Sequence, residues 1–246
     1  MSDYNSLAKY YLNRRLDKSR FDFNRDIEVP AMIKLIGDVK NKIILDMGCG
    51  FADHAMHLSK KGYKKLVGFD LSDGLISVAQ AQNIRDASFY VGDMSKKLNH
   101  ASSSFDIVYS SLAIHYVSNI NFLFKEVSRV LKKGGVFCFS TIHPVFNLMN
   151  QSSEGLVGVR RRGVKKEVLG NYFDESSKPS DLGGLGFVNI HNYSFETLIK
   201  AGLSNGFELV DYVDARPLPS AKKYDVDKYN LTCTLPTFIL FKFKKK

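Results

Sequence analysis

An α/β fold with a mostly parallel sheet is predicted from three features of residues 42–80. Residues 43–45 form a short apolar run, which is typical of a buried strand. A glycine turn follows, and residues 53–61 carry apolar side chains at helical spacing, in a helix that we expect to end at Gly62. Residues 66–69 form a second apolar run. Strand, turn, helix and strand in this order predict two parallel strands joined by a crossover helix.

Acidic residues occupy the positions where such a unit binds its ligand. Asp46 and Asp70 end the two strands, and ligands of parallel sheets lie at the carboxyl ends of the strands. Asp53 stands where a dinucleotide-binding turn carries glycine or alanine, and its charge would repel a pyrophosphate. S-adenosylmethionine has an ammonium group, a sulfonium group and no phosphate. Asp46 can face its cationic methionyl end, and Asp70 can accept both ribose hydroxyls.

The same alternation of strands and helices continues along the chain. Residues 88–91 and 105–109 are predicted as the third and fourth strands, followed by Asp93 and Ser110. A double glycine at 134–135 is expected to end a helix that begins at Ile120. The remaining predicted elements are helices at 3–17, 30–38 and 195–201, a helix capped by Ser72 with its buried face at 75–79, strands at 136–141, 207–213 and 237–244, an extended segment at 187–190, and a loop at 19–28.

Four motifs in this order resemble the class I S-adenosylmethionine-dependent methyltransferases, in the small-molecule branch of that family. They are Asp46-Met-Gly-Cys-Gly, Asp70 at the end of the second strand, Gly92-Asp93-Met94 after the third, and the fourth strand leading into Ser110. The resemblance covers residues 30–142. The chain departs from the fullest family pattern at Ala52, where a third glycine is common.

The resemblance implies the architecture of the whole chain. We expect a Rossmann-like seven-stranded sheet, mostly parallel with a C-terminal antiparallel hairpin, in a single domain over residues 1–246. An N-terminal helical cap is expected at 1–40. A lid-like substrate insertion is expected at 144–192, because a loop of this length is uncommon in a compact domain unless it is functional.

The resemblance also implies that the cofactor is S-adenosyl-L-methionine. Asp93 would accept a hydrogen bond from the adenine amino group while Met94 packs on the ring; the alternative is that Asp93 caps a helix. Tyr11 and Arg15 would lie near the methionyl carboxylate, or else belong to a helix that only packs on the surface. The full expected cofactor set is Asp46, Gly48, Cys49, Gly50, Asp70, Leu71, Asp93, Met94, Ser110, Tyr11 and Arg15.

Two histidines follow the fourth and fifth strands, at the carboxyl edge of the predicted sheet where the acceptor is expected to bind. His115 and His143 are therefore candidate catalytic bases, or they order loops through backbone hydrogen bonds. In the insertion, Phe146, Tyr172 and Phe173 could form an apolar wall against the acceptor, or only pack the insertion on the sheet.

Composition favours a cytoplasmic protein, and the aromatic residues of the predicted lid favour a small-molecule acceptor. The formal net charge is +10 at pH 7, but the basic clusters are not interleaved with aromatic residues, so nucleic acid is not the favoured partner. No apolar run is long enough to span a bilayer. The three cysteines are predicted to be unpaired thiols, and no cysteine or histidine spacing suggests a metal site. The oligomeric state stays undetermined.

Three functions remain open at this point. The first is methyl transfer to a small molecule by in-line displacement, with the methylated element and the need for a base undetermined. The second is an RNA or protein methyltransferase, which the basic cluster at 160–162 keeps open. The third is a non-catalytic module that only binds cofactor or a partner.

Overall fold

The structure is a computed structural model that describes residues 12–15, 17–146, 160–162, 165–167, 171–181 and 187–246. Its strands are β1 Ile43–Met47, β2 Lys65–Asp70, β3 Ala87–Val91, β4 Phe105–Ser110, β5 Leu131–Ile142, β6 Arg160–Arg162, β7 Lys165–Glu167, β8 Ser177–Asp181, β9 Phe187–His191, β10 Phe207–Asp214 and β11 Phe238–Lys245.

Helices cover much of the rest of the described chain. They are α1 Val29–Ile36, α2 Asp53–Leu58, α3 Asp73–Ala81, α4 Ile120–Val130, α5 Phe195–Ser204 and α6 Val226–Thr234. A π-helix, Asn24–Glu28, runs into α1, and 3₁₀ turns occur at Ser59–Lys61, Ile114–Tyr116 and Pro219–Lys223. Among the described helices, none is long and apolar enough to cross a membrane.

Seven strands form one sheet in the order β10-β11-β5-β4-β1-β2-β3. Strands β1 to β5 pair in parallel, and β11 is antiparallel to both β5 and β10. The predicted mostly parallel sheet with a C-terminal antiparallel hairpin is confirmed. Because the chain continues from β1 to β2 on one side and reaches β4 only on the other, the carboxyl end of β1 is a topological switch point, where α/β sheets bind ligands.

The two faces of the sheet carry separate apolar clusters. One cluster packs Met32 and Ile36 of α1 against Ile44 and Tyr109. The other is dominated by phenylalanines around Phe124 of α4, whose ring meets four others in edge-to-face contacts: Phe137, Phe139, Phe207 and Phe243. Burial on both faces explains why the central strands are continuous apolar runs in the sequence.

Several element boundaries differ from the prediction. Residues 24–28 form a π-helix, although the polar composition of this segment predicted a loop. Burial of Ile27 and Glu28 accounts for the difference. The double glycine lies inside β5, which begins directly after α4. Gly202 does not end α5, which continues to Ser204, and α6 was not predicted, because most of its side chains are exposed and give no apolar period.

The segment after β5 contains two hairpins among its described residues. β6 pairs with β7, and β8 pairs with β9, both in antiparallel fashion. The extended segment predicted at 187–190 is therefore β9. It contacts the 3₁₀ turn Ile114–Tyr116 that follows β4, so this part of the insertion lies next to the carboxyl edge of the sheet.

Gly202→Ala is expected to destabilise the protein by about 1–3 kcal/mol, as overpacking of a core does. A Cβ at this position would overlap the Phe243 ring, 2.7 Å from Cδ1. Phe243 is fully buried among other rings and cannot move aside. Urea denaturation measures the change, with Leu203→Ala as the control because Leu203 is exposed on the same helix. A more stable Gly202→Ala variant would contradict this packing, since alanine is the better helix former.

Candidate functional site

A cavity of about 720 Å³ opens at the carboxyl edge of the parallel strands. Its size is that of a small-molecule site. The wall is built from the turn after β1, the ends of β2 and β3, the segment after β4 and the N-terminal segment. It contains most of the residues that the sequence predicted: Arg15, Asp46, Gly48, Cys49, Gly50, Asp70, Leu71, Asp93, Met94, His115 and Phe146.

The glycine turn after β1 is held against the end of β2. The backbone N–H groups of Gly48 and Cys49 both donate to the carbonyl of Phe69, at 2.8 and 3.0 Å. Gly48 has φ +75°, and a Cβ there would lie 2.5 Å from Cβ of Ala113 and 2.9 Å from Cε of Met94. Glycine is required at this position by conformation and by space. The turn therefore leaves an open cradle of backbone beside the cavity.

Asp70 is oriented by the backbone on both of its oxygens. Oδ2 accepts from the N–H of Gly50 and Oδ1 from the N–H of Ser72, each at 2.9 Å. Burial raises the pKa of Asp70, and these hydrogen bonds oppose the rise. An ionised carboxylate offers about four acceptor positions, which exceeds the two hydrogen bonds described here, so acceptor capacity remains for a ligand hydroxyl. The geometry fits the ribose role predicted for this residue.

Asp46 is buried beneath the glycine turn with 2% of its surface exposed. The Tyr109 hydroxyl donates to its Oδ2 at 2.6 Å. Burial raises the pKa of Asp46 to about 7, with further increases from the charges of Asp70 and Glu28, against the Tyr109 hydrogen bond and the attraction of His54. A cation placed in the cavity next to this carboxyl would favour its ionised form.

The sequence analysis missed Glu28, which is completely buried beside the cavity. Its Oε1 accepts from the hydroxyls of Ser111 at 2.8 Å and Ser140 at 2.7 Å, and its Oε2 lies 2.9 Å from Nε2 of His54. Burial opposes the charge, but the attraction of His54 and the three hydrogen bonds outweigh it, so the pKa of Glu28 is lowered. The pKa of His54 is raised by the charge of Glu28, against burial.

Because the pKa of Glu28 is lowered and the pKa of His54 is raised, the two side chains form a buried ion pair. His54 and Ser111 line the cavity above it. The contacts join residues 26, 83 and 112 positions apart, and no local pattern in a sequence indicates such distant pairs.

Arg15 links the N-terminal segment to the first turn of α2. Its Nη2 donates to Oδ2 of Asp53 at 2.7 Å, its Nη1 donates to Asp22, and its guanidinium lies 5.9 Å from the ring centre of Phe51. Two carboxylates therefore neutralise the cation that was expected near a ligand carboxylate. Tyr11, its predicted companion, lies outside the described residues.

Three other predicted cofactor residues lie around the turn. Oδ1 of Asp93 accepts from the N–H and the hydroxyl of Ser95, at 2.8 and 2.6 Å, and the side chain remains part of the wall. Leu71 is 54% exposed at the rim. Burial raises the pKa of the Cys49 thiol, which stays protonated and packs as a small apolar group.

The candidate bases differ in their access to the cavity. His115 lines the wall with Nδ1 3.2 Å from Oγ1 of Thr141, and burial lowers its pKa to about 3, so the ring is neutral at pH 7. His143 is absent from the described wall: its Nδ1 accepts from the N–H of Val145, and its Nε2 lies 3.3 Å from Asp214. Both ring nitrogens of His143 are thus engaged away from the cavity. The structure brings only His115 to the place where an acceptor would bind.

Ser110 and two aromatic residues of the insertion also differ from the expected arrangement. The Ser110 hydroxyl is buried and donates to the carbonyl of Met47, not toward the cavity. The Tyr172 hydroxyl accepts from the N–H of Phe195 at the start of α5, and Phe173 is 82% exposed. Of the three predicted wall residues, only Phe146 lines the cavity. Within the described part of the chain, no cluster of residues could hold a metal ion.

Glu28→Gln is expected to cost about 3 kcal/mol of unfolding free energy, because it leaves the buried charge of His54 without its partner. Urea denaturation of Glu28→Gln, His54→Gln and the double variant measures the coupling. Glu196→Gln breaks the exposed pair with Lys200 and serves as the control, with an expected change close to zero. Additive effects of the two buried substitutions would contradict the ion pair.

Known proteins resemble this chain in sequence and in fold. Residues 45–139 match the family described as a methyltransferase domain. A solved structure from Listeria monocytogenes, assigned to the S-adenosylmethionine-dependent methyltransferases, is 27% identical with a TM-score of 0.75, and the match covers 89% of this chain and 96% of that chain.

Two curated relatives are named for the reactions they catalyse. A malonyl-[acyl-carrier protein] O-methyltransferase of Yersinia pestis is 31% identical over 100 residues, which is 41% of this chain and 36% of the relative. A demethylmenaquinone methyltransferase of Lactococcus lactis is 31% identical over 129 residues, 50% of this chain and 51% of the relative. The chain thus matches about half or less of the length of these two relatives. The similarity in fold extends over nearly the whole chain, and the matched residues include the glycine turn and Asp70. Residues 45–139 thus match a methyltransferase domain, and the chain shares the fold of S-adenosylmethionine-dependent methyltransferases over 89% of its length, which supports class I of that family and S-adenosylmethionine as the cofactor.

Proposed function

We propose that this protein transfers a methyl group from S-adenosylmethionine to a small-molecule acceptor. The observation that carries the proposal is a cavity wall rich in carboxylates around an open glycine cradle. Among the described wall residues, the aspartates are Asp22, Asp46, Asp53, Asp70 and Asp93, against two arginines, Arg14 and Arg15. Such a wall favours a cationic ligand and repels phosphate. Asp46 and Asp70 stand where they would meet the methionyl end and the ribose.

The chemistry demands little of the side chains. S-adenosylmethionine supplies a methyl group on sulfonium sulfur; as the acceptor's lone pair forms the new bond, the carbon–sulfur bond breaks and its electrons stay on sulfur. The protein's contribution is to hold the acceptor in line and to exclude water. His115 is neutral and can accept a hydrogen bond, but with a pKa of about 3 it does not keep a proton at pH 7. The acceptor's proton would therefore leave to water.

Burial of the site supports a small acceptor. His115 is buried, and the cavity wall to which it belongs also contains apolar side chains: Phe21, Phe146, Val188, Ile142 and Phe238. An acceptor atom must enter this recess to reach the methyl group. The two curated relatives are named for transfer to an acyl-carrier-protein-bound malonyl group and to demethylmenaquinone, which is consistent with a slender organic acceptor.

Transfer of label from methyl-labelled S-adenosylmethionine tests the proposal. The protein is incubated with fractions of a cell extract, and label is expected in a compound of low molecular mass. Asp70→Asn keeps the shape of the side chain but removes its charge, and should lower cofactor affinity by roughly 10- to 100-fold. Label that enters RNA or protein, or cofactor binding without any transfer, would overturn the small-molecule proposal.

Cofactor affinity is expected to fall about fivefold between pH 7 and pH 6. The ionised form of Asp46 pairs with the cationic ligand, and with a pKa of about 7 its ionised fraction drops about fivefold over this interval. The ligand's ammonium group stays protonated throughout. Titration calorimetry at both pH values measures the change. Asp46→Asn should bind more weakly with no slope, while Asp93→Asn should keep the wild-type slope, because the pKa of Asp93 is already lowered. A flat wild-type profile would contradict the pairing.

A further inference from the structure

Thr237 carries a buried hydroxyl in the cavity wall. The residue stands just before β11, is 3% exposed and lines the cavity. Among the described residues, its Oγ1 has no hydrogen-bond partner. Neighbouring hydroxyls at the same sheet edge are all engaged: Ser110 with Met47, Ser111 and Ser140 with Glu28, and Thr141 with His115. A buried hydroxyl left unpaired costs free energy and calls for an explanation.

The backbone around Thr237 is held by the pairing of β11 with β5. The N–H of His143 donates to the carbonyl of Thr237 at 2.8 Å, and Phe238 is the register partner of Ile142. The β5–β11 ladder therefore continues to this residue. The side chain is held at the end of a rigid sheet, as precise recognition requires.

Thr237 and His115 lie on the same side of this ladder. Thr141, which contacts His115, is the register partner of Ile239, and Ile239 follows Thr237 by two residues. Residues two apart along a strand share a face. In the tautomer in which Nδ1–H of His115 donates to Thr141, Nε2 is an acceptor with no partner among the described residues. One hydroxyl donor and one neutral nitrogen acceptor thus face a shared, largely apolar recess.

We propose that Thr237 is a specificity-determining residue that selects an uncharged acceptor of the phenol or alcohol class. The Thr237 hydroxyl donates a hydrogen bond to the oxygen of the acceptor molecule. Nε2 of His115 accepts a hydrogen bond from the hydroxyl group of that acceptor molecule. An apolar acceptor body packs against Phe146, Val188 and Phe238. A free carboxylate is disfavoured, because aspartates outnumber arginines in the described wall. The inference rests on the proposed function, since it concerns the acceptor part of the same cavity.

Matched probe pairs test this selection by binding, with the protein saturated with S-adenosylhomocysteine. The probes are phenol, 4-ethylphenol and 2-naphthol, each compared with the analogue in which methyl replaces the hydroxyl. Wild-type protein is expected to prefer the hydroxyl member of at least one pair by about tenfold. Thr237→Val should abolish that preference, and Thr237→Ser should restore it. Equal binding within every pair, or binding of no probe, overturns the proposal.

Thermal denaturation separates recognition from structure. Because the hydroxyl has no hydrogen-bond partner among the residues that the structure describes, Thr237→Val should melt at or above the wild-type temperature. Thr232→Val is the matched control: Thr232 is buried in α6, and its hydroxyl lies 2.8 Å from the carbonyl of Lys228 and outside the described cavity wall. That variant should melt lower and keep the probe preference.

A Thr237→Val variant that melts lower, as Thr232→Val should, would show that the hydroxyl has a structural role and would overturn the proposal. The binding readout does not depend on turnover. A probe preference that depends on Thr237, in a protein that transfers no label, would therefore refute the proposed function while leaving the recognition role intact. Label transfer by a protein that binds both members of every probe pair equally would support the proposed function and refute the recognition role of Thr237.

Discussion

The candidate site depends on the ion pair and the hydrogen bonds of the buried Glu28 carboxylate. It joins the end of the π-helix to His54 of α2, to Ser111 after β4 and to Ser140 of β5. A charge with no exposure to water persists only when its partners satisfy it, so these four segments must come together at once. Since His54 and Ser111 also line the cavity, the site is completed by the same contacts that bury the charge.

Charge in this protein is distributed differently at the site and over the whole chain. The formal net charge is +10, which considered alone suggests an acidic partner. The described cavity wall has the opposite balance, with five aspartates and two arginines. A bound ligand interacts mainly with the wall, because water and salt screen charges that lie more than about 10 Å away. The local balance therefore decides which ligand binds, and it favours a cationic cofactor.

Predictions of strand positions and predictions of side-chain roles differ in outcome, for a physical reason. Strands β1 to β4 lie within a residue or two of their predicted places, since burial on both faces demands apolar runs, whereas β5 begins five residues before its predicted start. The predicted roles of His143, Tyr172 and Phe173 rested on their positions after strands or in the insertion. His143 is held by Asp214 and by the N–H of Val145, Tyr172 accepts from the first turn of α5, and Phe173 is exposed, none of which follows from position after a strand.

The sheet, the glycine turn and the acids that end β1 and β2 follow from the sequence, because each depends on a few consecutive residues and on the geometry of parallel strands. Which polar groups are satisfied and which face the cavity depends on the tertiary structure. Glu28 is paired through contacts of up to 112 residues in separation, while Thr237 is buried with no partner among the described residues. Satisfaction of a buried polar atom is a property of its surroundings in space, which adjacent residues in the chain do not specify.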